Sequence, residues 1–176
     1  MGMPGAKTPM IENAMSASHH ADALESVWDY PRPPRLERSG RHIEVVFIGV
    51  AIAETRRAWR VLETSHPPVF YIPPEDVRTD LLASTDRRSY CEWKGSAAYR
   101  TVTFGDRSAP NAVWSYPDPT AAFAPIAGYL AFYPSRMDAC FVDGERVRSQ
   151  LGDFYGGWIT GEIVGPFKGD PGTEGW

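Results

Sequence analysis

Two Pro-Pro steps, Pro67-Pro68 and Pro73-Pro74, bracket a run of β-forming residues at 69–72. Each proline fixes its own φ and pushes the preceding residue out of the α region. The run therefore predicts one short strand that is entered and left by stiff corners. Glu63 and His66 stand just before it, so polar side chains lie beside a rigid element, where a site is most easily held in place.

The remaining patterns predict a mainly β fold of compact antiparallel sheets. Alternating β-branched and aromatic residues predict one hairpin over 42–54 and a second over 99–116. Sixteen glycines and sixteen prolines spread along 176 residues favour short elements and frequent turns. Proline beside carboxylates predicts a short helix near 74–82. A second short helix is predicted near 119–128.

The chain divides into an arm and one body. Residues 1–24 lack periodicity, and we expect a flexible N-terminal arm there. Residues 25–176 are expected to form a single β-rich domain, with the glycine- and aromatic-rich segment 150–176 packed on it. Trp28 and Tyr30 lie in a proline-rich stretch and are predicted to be buried anchors, the alternative being a peptide motif offered to a partner groove.

Composition narrows the classes of partner. A formal net charge of −4 argues against a nucleic acid or membrane partner, and no apolar run approaches the roughly 18 residues of a membrane span. The N-terminus lacks the pattern of a secretory signal, so we expect a cytoplasmic protein with Cys91 and Cys140 reduced. Without a C-x-x-C motif, and with His19-His20 offering too few ligands, no metal is expected. No motif identifies a cofactor.

Aromatic residues suggest a binding site. Trp114 and Tyr116 are two positions apart, so they share a face of a strand. Together with Trp93 they could wall a cavity for a small ligand, and the alternative is an ordinary aromatic core. Four polar side chains would orient the ligand: Glu63, His66, Tyr71 and Lys94.

Cys91 supports a second hypothesis, an enzyme. Lys94 follows it by three positions, and a nearby cation can lower the pKa of a thiol and make it nucleophilic. His66 or Lys94 would transfer the proton and Glu63 would orient the partner. The alternative is a buried structural cysteine, since cysteine is among the most often buried residues.

Five blocks of the sequence resemble a known family. They read LETSHPPVFYIPPEDV, CEWKGSAAY, AVWSYPDP, GYLAFYPSRMDACFVDGERV and YGGWITGEIVGPFKGDPGTEGW. In this order they resemble the domain of unknown function family DUF427, in its longer actinobacterial-type form, over residues 27–176. The resemblance implies a compact, mainly antiparallel β domain of a β-tent-like type. The family has also been labelled nucleotidyltransferase-like, although this sequence has no Gly-Ser followed by an Asp-x-Asp pair.

Three functions follow in order of preference. The first is a small-molecule-binding module with an aromatic-walled pocket. The second is an enzyme that uses Cys91 with His66, Lys94 and Glu63. The third is a structural or assembly protein, in which the C-terminal tail and the segment around Trp28 form a homodimer.

Overall fold

The computed structural model describes residues 23–152 and 154–176. Most of the predicted arm, with His19-His20, lies outside the described residues. The described residues form fifteen short strands, which confirms the prediction of a mainly β protein. In chain order these are β1 (Glu25–Ser26), β2 (Arg35–Ser39), β3 (Ile43–Phe47), β4 (Val50–Thr55), β5 (Ala58–Leu62), β6 (Val69–Tyr71), β7 (Leu82–Cys91), β8 (Gly95–Phe104), β9 (Arg107–Ser115), β10 (Ala131–Phe132), β11 (Ala139–Val142), β12 (Glu145–Arg146), β13 (Arg148–Ser149), β14 (Trp158–Ile159) and β15 (Ile163–Val164).

The strands form three main sheets, and all three are antiparallel. Their strand orders are β10-β9-β8-β7, β12-β11-β3-β4 and β2-β5-β6. Two smaller pairs complete the fold, an antiparallel β13-β14 and a parallel β1-β15. The antiparallel class is therefore confirmed, whereas the β-tent likeness stays a prediction.

Both predicted hairpins are present. β3 and β4 form the first, and their turn residues Ile48 and Gly49 have φ values of 50° and 65°. Two successive left-handed residues are the mark of a type I′ turn, whose twist matches that of the flanking strands. β8 and β9 form the second, with Gly105 at a φ of 60° in its turn. The strand between the two Pro-Pro corners is β6, as predicted.

The two helices predicted near 74–82 and 119–128 are 3-10 turns, which corrects the expected helix type. Leu82 is already paired with Val102 of β8, so sheet pairing replaces what local propensity would have continued as helix. Pro125 lies inside the other segment and has no N–H to donate to an α-helical hydrogen bond. The described residues contain five 3-10 turns: Val27–Asp29, Pro74–Asp76, Thr79–Leu81, Ala121–Ile126 and Pro134–Arg136.

The sheet β10-β9-β8-β7 separates two packed clusters. Tyr99 pairs with Trp114, and Arg100 pairs with Val113. Since neighbours along a strand point to opposite faces, Tyr99 and Trp114 lie on one face, and Val113 and Val102 lie on the other. The valine face packs with residues of β3, β4 and β11 into a core that is mostly aliphatic but includes Phe47, Phe70, Phe132 and Trp158; we call it the aliphatic core. The aromatic face packs with residues of β5 and β6 and carries the candidate site.

The two terminal segments pack together and close the body. β1 runs parallel to β15, and Tyr30 is buried with Phe167 in a third cluster. Trp28 does not follow the prediction of a buried anchor, because its side chain is 44% exposed. Its ring contacts Trp176 edge to face at 4.9 Å. Trp158 of the glycine-rich segment is fully buried in the aliphatic core. Within the described residues, no helix has the length and apolar character needed to cross a membrane.

Candidate functional site

A cavity of about 600 Å³ lies on the aromatic face of the sheet. Its walls come from β5 and β6, from β7, β8 and β9, and from Gln150 and residues 154–156. The structure brings together around it all eight residues that the sequence singled out, and their role in binding or catalysis stays a prediction. These residues are Glu63, His66, Tyr71, Cys91, Trp93, Lys94, Trp114 and Tyr116.

The loop before β6 is held in one conformation from three directions. Ser65 is buried and adopts a left-handed φ of 71°, a backbone conformation that costs energy for a residue with a Cβ. Its N–H donates to the carbonyl of Val27 at 3.1 Å, and its own carbonyl accepts from the N–H of Lys168 at 2.8 Å. Thr64 donates its hydroxyl to the Tyr30 carbonyl at 2.6 Å. Both terminal segments therefore fix the direction of His66.

His66 presents a defined acceptor. Its Nδ1 lies 2.9 Å from the Thr64 carbonyl and 3.1 Å from Glu63 Oε2. Because a carbonyl can only accept, Nδ1 carries the proton and Nε2 is the acceptor of the neutral ring. Burial lowers the pKa of His66, and the positive charges of Arg32 and Lys94 lower it further, against the raising effects of the Thr64 carbonyl and Glu63.

Glu63 lines the cavity and also contacts two charged or polar side chains of the protein. Its carboxylate lies 3.7 Å from the Arg32 guanidinium and 3.1 Å from the His66 ring. The negative charge at this side of the cavity is therefore shared with a cation and an imidazole before any ligand enters. This arrangement favours an orienting role over that of a free general base.

Three aromatic side chains form the buried wall. Tyr71, Trp114 and Tyr116 are between 2% and 7% exposed and belong to the aromatic cluster. The indole N–H of Trp114 donates to the Tyr71 hydroxyl at 3.2 Å, and the two rings meet edge to face. Burial raises the pKa of Tyr71 and of Tyr116, so both phenols stay protonated. The sequence left two alternatives for these aromatics, the wall of a cavity or an ordinary aromatic core. In the structure they line the cavity and also belong to a core cluster.

The turn between β7 and β8 carries Trp93 and Lys94. It is tied to Thr120, whose hydroxyl donates to the Trp93 carbonyl at 2.6 Å and whose N–H donates to the Lys94 carbonyl at 3.1 Å. The ammonium of Lys94 lies 5.6 Å from the ring centre of Tyr116 and 5.8 Å from that of Phe123, within cation–π range. In the part of the chain that the structure describes, it forms no ion pair.

Cys91 ends β7 and is half-buried at the cavity. Among the described residues its Sγ forms no hydrogen bond with His66 or Lys94. Cys140 is different, because it is 1% exposed in the aliphatic core and burial raises the pKa of its thiol. Neither cysteine forms a disulfide.

The C-terminal wall was missed in the sequence. Tyr155 meets His66 edge to face at 4.9 Å, and Gly156 approaches the Trp114 ring so closely that an added Cβ would lie 2.5 Å from it. Gly157 would likewise meet the Gln150 side chain at 2.6 Å. The Gly-Gly pair is therefore needed for close approach to the wall. Two glycines inside an aromatic-rich segment are the signal that could have indicated such contact.

A group of potential metal ligands lies away from the cavity. Among the described residues, His42 is 2.8 Å from Glu54 through Nε2 and 3.2 Å from Glu44 through Nδ1. Both ring nitrogens thus already face carboxylates. The group therefore links His42 to both strands of the β3-β4 hairpin through its two ring nitrogens.

Antiparallel sheets around an aromatic-walled cavity make this chain a mainly β protein with a concave candidate site. The family model for a domain of unknown function, DUF427, matches residues 35–143. The chain therefore belongs to the DUF427 family, as the resemblance predicted, and its longer form stays a prediction. No curated protein matches the sequence. The matched region ends before Gln150, so the C-terminal wall of the cavity lies beyond it.

Proposed function

We propose that this protein binds a small molecule in the aromatic-walled cavity. The observation that carries the proposal is the cavity itself, whose volume of about 600 Å³ falls within the range of roughly 300–1,000 Å³ usual for ligand sites. Its wall combines aromatic faces with a few fixed polar groups, which is the usual composition of such sites. Aromatic faces supply contact area, and the polar groups set orientation.

The binding residues are held in place in two ways. Tyr71, Trp114 and Tyr116 are held by burial in the aromatic cluster. Trp93 and Lys94 lie on the turn that Thr120 ties down. A site whose side chains are fixed before the ligand arrives loses less entropy on binding.

A thermal-shift screen tests the proposal. Purified protein is heated with nucleotides, cofactors, small acids and divalent metals. A ligand at about one hundred times its Kd should stabilise the fold by roughly 2.7 kcal/mol. Trp93→Ala should abolish the shift, whereas Trp176→Ala, which removes an exposed indole outside the cavity, should retain it. A ligand shift that Trp93→Ala leaves intact would place binding elsewhere and contradict the proposal.

The enzyme is the second candidate. It is favoured by the fact that Cys91, His66, Lys94 and Glu63 border the same cavity. In such an enzyme, an entering substrate would have to bring His66 or Lys94 into contact with the thiol, since no such hydrogen bond is present beforehand. Turnover of a thioester or peptide panel that Cys91→Ser abolishes would support it. An active Cys91→Ser protein would remove it.

Self-association is the third candidate, and it is supported by the exposed pair of Trp28 and Trp176. Light scattering of Trp28→Ala alongside the parent protein tests it, because an unchanged mass would contradict a homodimer through this surface. A cytoplasmic location and a β-tent-like fold also remain proposals. The first is supported by two unpaired thiols, which are typical of a reducing compartment.

A further inference from the structure

The hydroxyl of Tyr116 is an unused donor inside the cavity. Tyr116 is only 6% exposed, and none of the described residues hydrogen-bonds its hydroxyl. Among the described residues, no side-chain nitrogen or oxygen that is sealed from solvent lacks a partner. The Tyr116 hydroxyl is therefore not sealed from solvent, and Tyr116 lines the cavity. A buried hydroxyl without a partner is costly unless a ligand or water satisfies it.

Two further donor groups that line the cavity have no acceptor among the described residues: the Tyr71 hydroxyl and the Trp93 indole N–H. The Tyr71 hydroxyl accepts from Trp114, so its own proton has no protein acceptor in the described part of the chain. The indole N–H of Trp93 also has none. Since a phenol both accepts and donates, the buried wall offers the cavity more donors than acceptors.

Lys94 adds a positive charge to the same wall. Its ammonium lies over the face of Tyr116 and has no carboxylate partner among the described residues. Of the two carboxylates that border the cavity, Glu63 is engaged by Arg32 and His66, and Glu92 is exposed. A ligand group that meets Lys94 and Tyr116 should therefore be an acceptor that carries negative charge.

The rest of the wall suits a flat apolar body. Trp93, Trp114 and Tyr155 line the cavity, and aromatic rings pack well against aromatic rings in offset or edge-to-face contact. One lysine and two phenols match the single charge of a carboxylate. A phosphate monoester, with nearly two charges at neutral pH, is usually bound by arginine forks, and no arginine is among the described residues that line this cavity.

We propose that the cavity binds an aromatic carboxylate, with the acid group against Lys94, Tyr71 and Tyr116 and the ring against Trp93 and Trp114. This inference rests on the proposed function, because it names the class of ligand for the same site. It requires the carboxylate to bind more tightly than a neutral ligand of the same shape.

Isothermal titration calorimetry with three probes tests this: 2-naphthoate, 2-naphthamide and 2-naphthyl phosphate. In the parent protein, naphthoate should bind at least about tenfold more tightly than naphthamide, the usual scale of a charge-assisted hydrogen bond. Lys94→Met should bring the two ligands to similar Kd values. Tyr116→Phe should weaken naphthoate about five- to tenfold and leave naphthamide less affected.

Matched controls remove the same groups elsewhere. Lys168→Met deletes a lysine whose ammonium donates to the Thr173 carbonyl, and Tyr129→Phe deletes a phenol outside the cavity lining. Both should keep the preference for naphthoate. Thermal unfolding of each variant checks that it is folded, and the ratio of naphthoate to naphthamide in the parent protein tests the proposal even if a variant fails to fold.

The outcomes separate the two proposals. If naphthamide binds as tightly as naphthoate, or if naphthyl phosphate binds more tightly than both, the carboxylate inference is overturned while the binding site stands. If none of the three probes binds, the carboxylate inference is overturned. If the thermal-shift screen also finds no ligand, the binding function itself fails.

Discussion

The two faces of the sheet β10-β9-β8-β7 have opposite uses, although they belong to the same strands. On one face, Val102 and Val113 are fully buried in an aliphatic core. On the other, Tyr99 and Trp114 are nearly as buried but border a cavity of about 600 Å³. Burial alone therefore does not distinguish the two faces, whereas the shape and polarity of the side chains do.

The physical difference lies in how the two kinds of side chain fill space. Branched aliphatic residues interdigitate to the density of a crystal and leave few voids. Large rings are rigid, and each hydroxyl or indole N–H needs a partner of its own. Tyr99 meets that need with Ser89, and Tyr133 with the carbonyl of Phe154, but Tyr116 does not. The cavity therefore lies on the face whose buried rings carry hydroxyl groups.

The largest expected effect tests the aliphatic face. Phe132 is fully buried there, and Phe132→Ala should lower the free energy of unfolding by about 3–5 kcal/mol, the usual cost of a large cavity. Trp93→Ala, on the cavity side, should cost clearly less because Trp93 is half-buried and already borders open space. Urea denaturation of both variants measures the difference, and equal losses would mean that the two faces do not differ in this way.

The second prediction compares the two thiols, one of which packs against the aromatic cluster and the other in the aliphatic core. Cys91 borders the cavity and Cys140 is sealed in the aliphatic core. In native protein, Cys91 should react with a disulfide reagent at least about a hundredfold faster than Cys140, because a sealed thiol reacts only when the structure opens. Cys91→Ser should remove the fast phase. Two fast thiols, or a fast phase that survives Cys91→Ser, would contradict the assignment.

The third prediction concerns the C-terminal wall. Gly156→Ala places a Cβ 2.5 Å from the Trp114 ring, and forcing an extra methyl into a packed site usually costs about 1–3 kcal/mol. It should also weaken ligand binding, because Trp114 must move. Gly175→Ala is the matched control, since nothing lies within 4 Å of its added Cβ, and its effect should stay within about 0.5 kcal/mol. If both variants behave alike, Gly156 does not shape the cavity.

The strands, and the aromatic wall that β6 and β9 carry, could be predicted from the sequence because their causes are local. Pro67-Pro68 and Pro73-Pro74 fix the corners of β6 through their own rings. Trp114 and Tyr116 share a face because side chains alternate along a strand. The two segments that were expected as helices form three 3-10 turns instead, because Leu82 pairs with β8 and because Pro125 has no N–H to donate.

The C-terminal wall of the cavity and the conformation of the loop at Ser65 could not be predicted, because both depend on contacts between distant parts of the chain. The Gly-Gly pair can indicate a close contact but not that its partner is Trp114, and no residue near Ser65 indicates that its N–H will donate to the carbonyl of Val27. The exposure of Trp28 is of the same kind, since its partner is Trp176 at the other end of the chain. Such pairings depend on the assembled topology.

The smallest expected effect is a pH dependence from His66, which faces Glu63, Arg32 and Lys94. Burial holds its pKa in the folded protein below the ordinary value of 6.5. As the pH falls below that value, the unfolded chain therefore binds a proton that the folded state resists, and stability declines. Replacing His66 with Gln should make the fall in the free energy of unfolding between pH 7 and about pH 5 shallower. The change should be smaller than the stability losses expected for Phe132→Ala and Gly156→Ala. Parallel declines in both proteins would contradict a neutral buried imidazole. A steeper decline in His66→Gln would mean that the attraction of Glu63 outweighs burial.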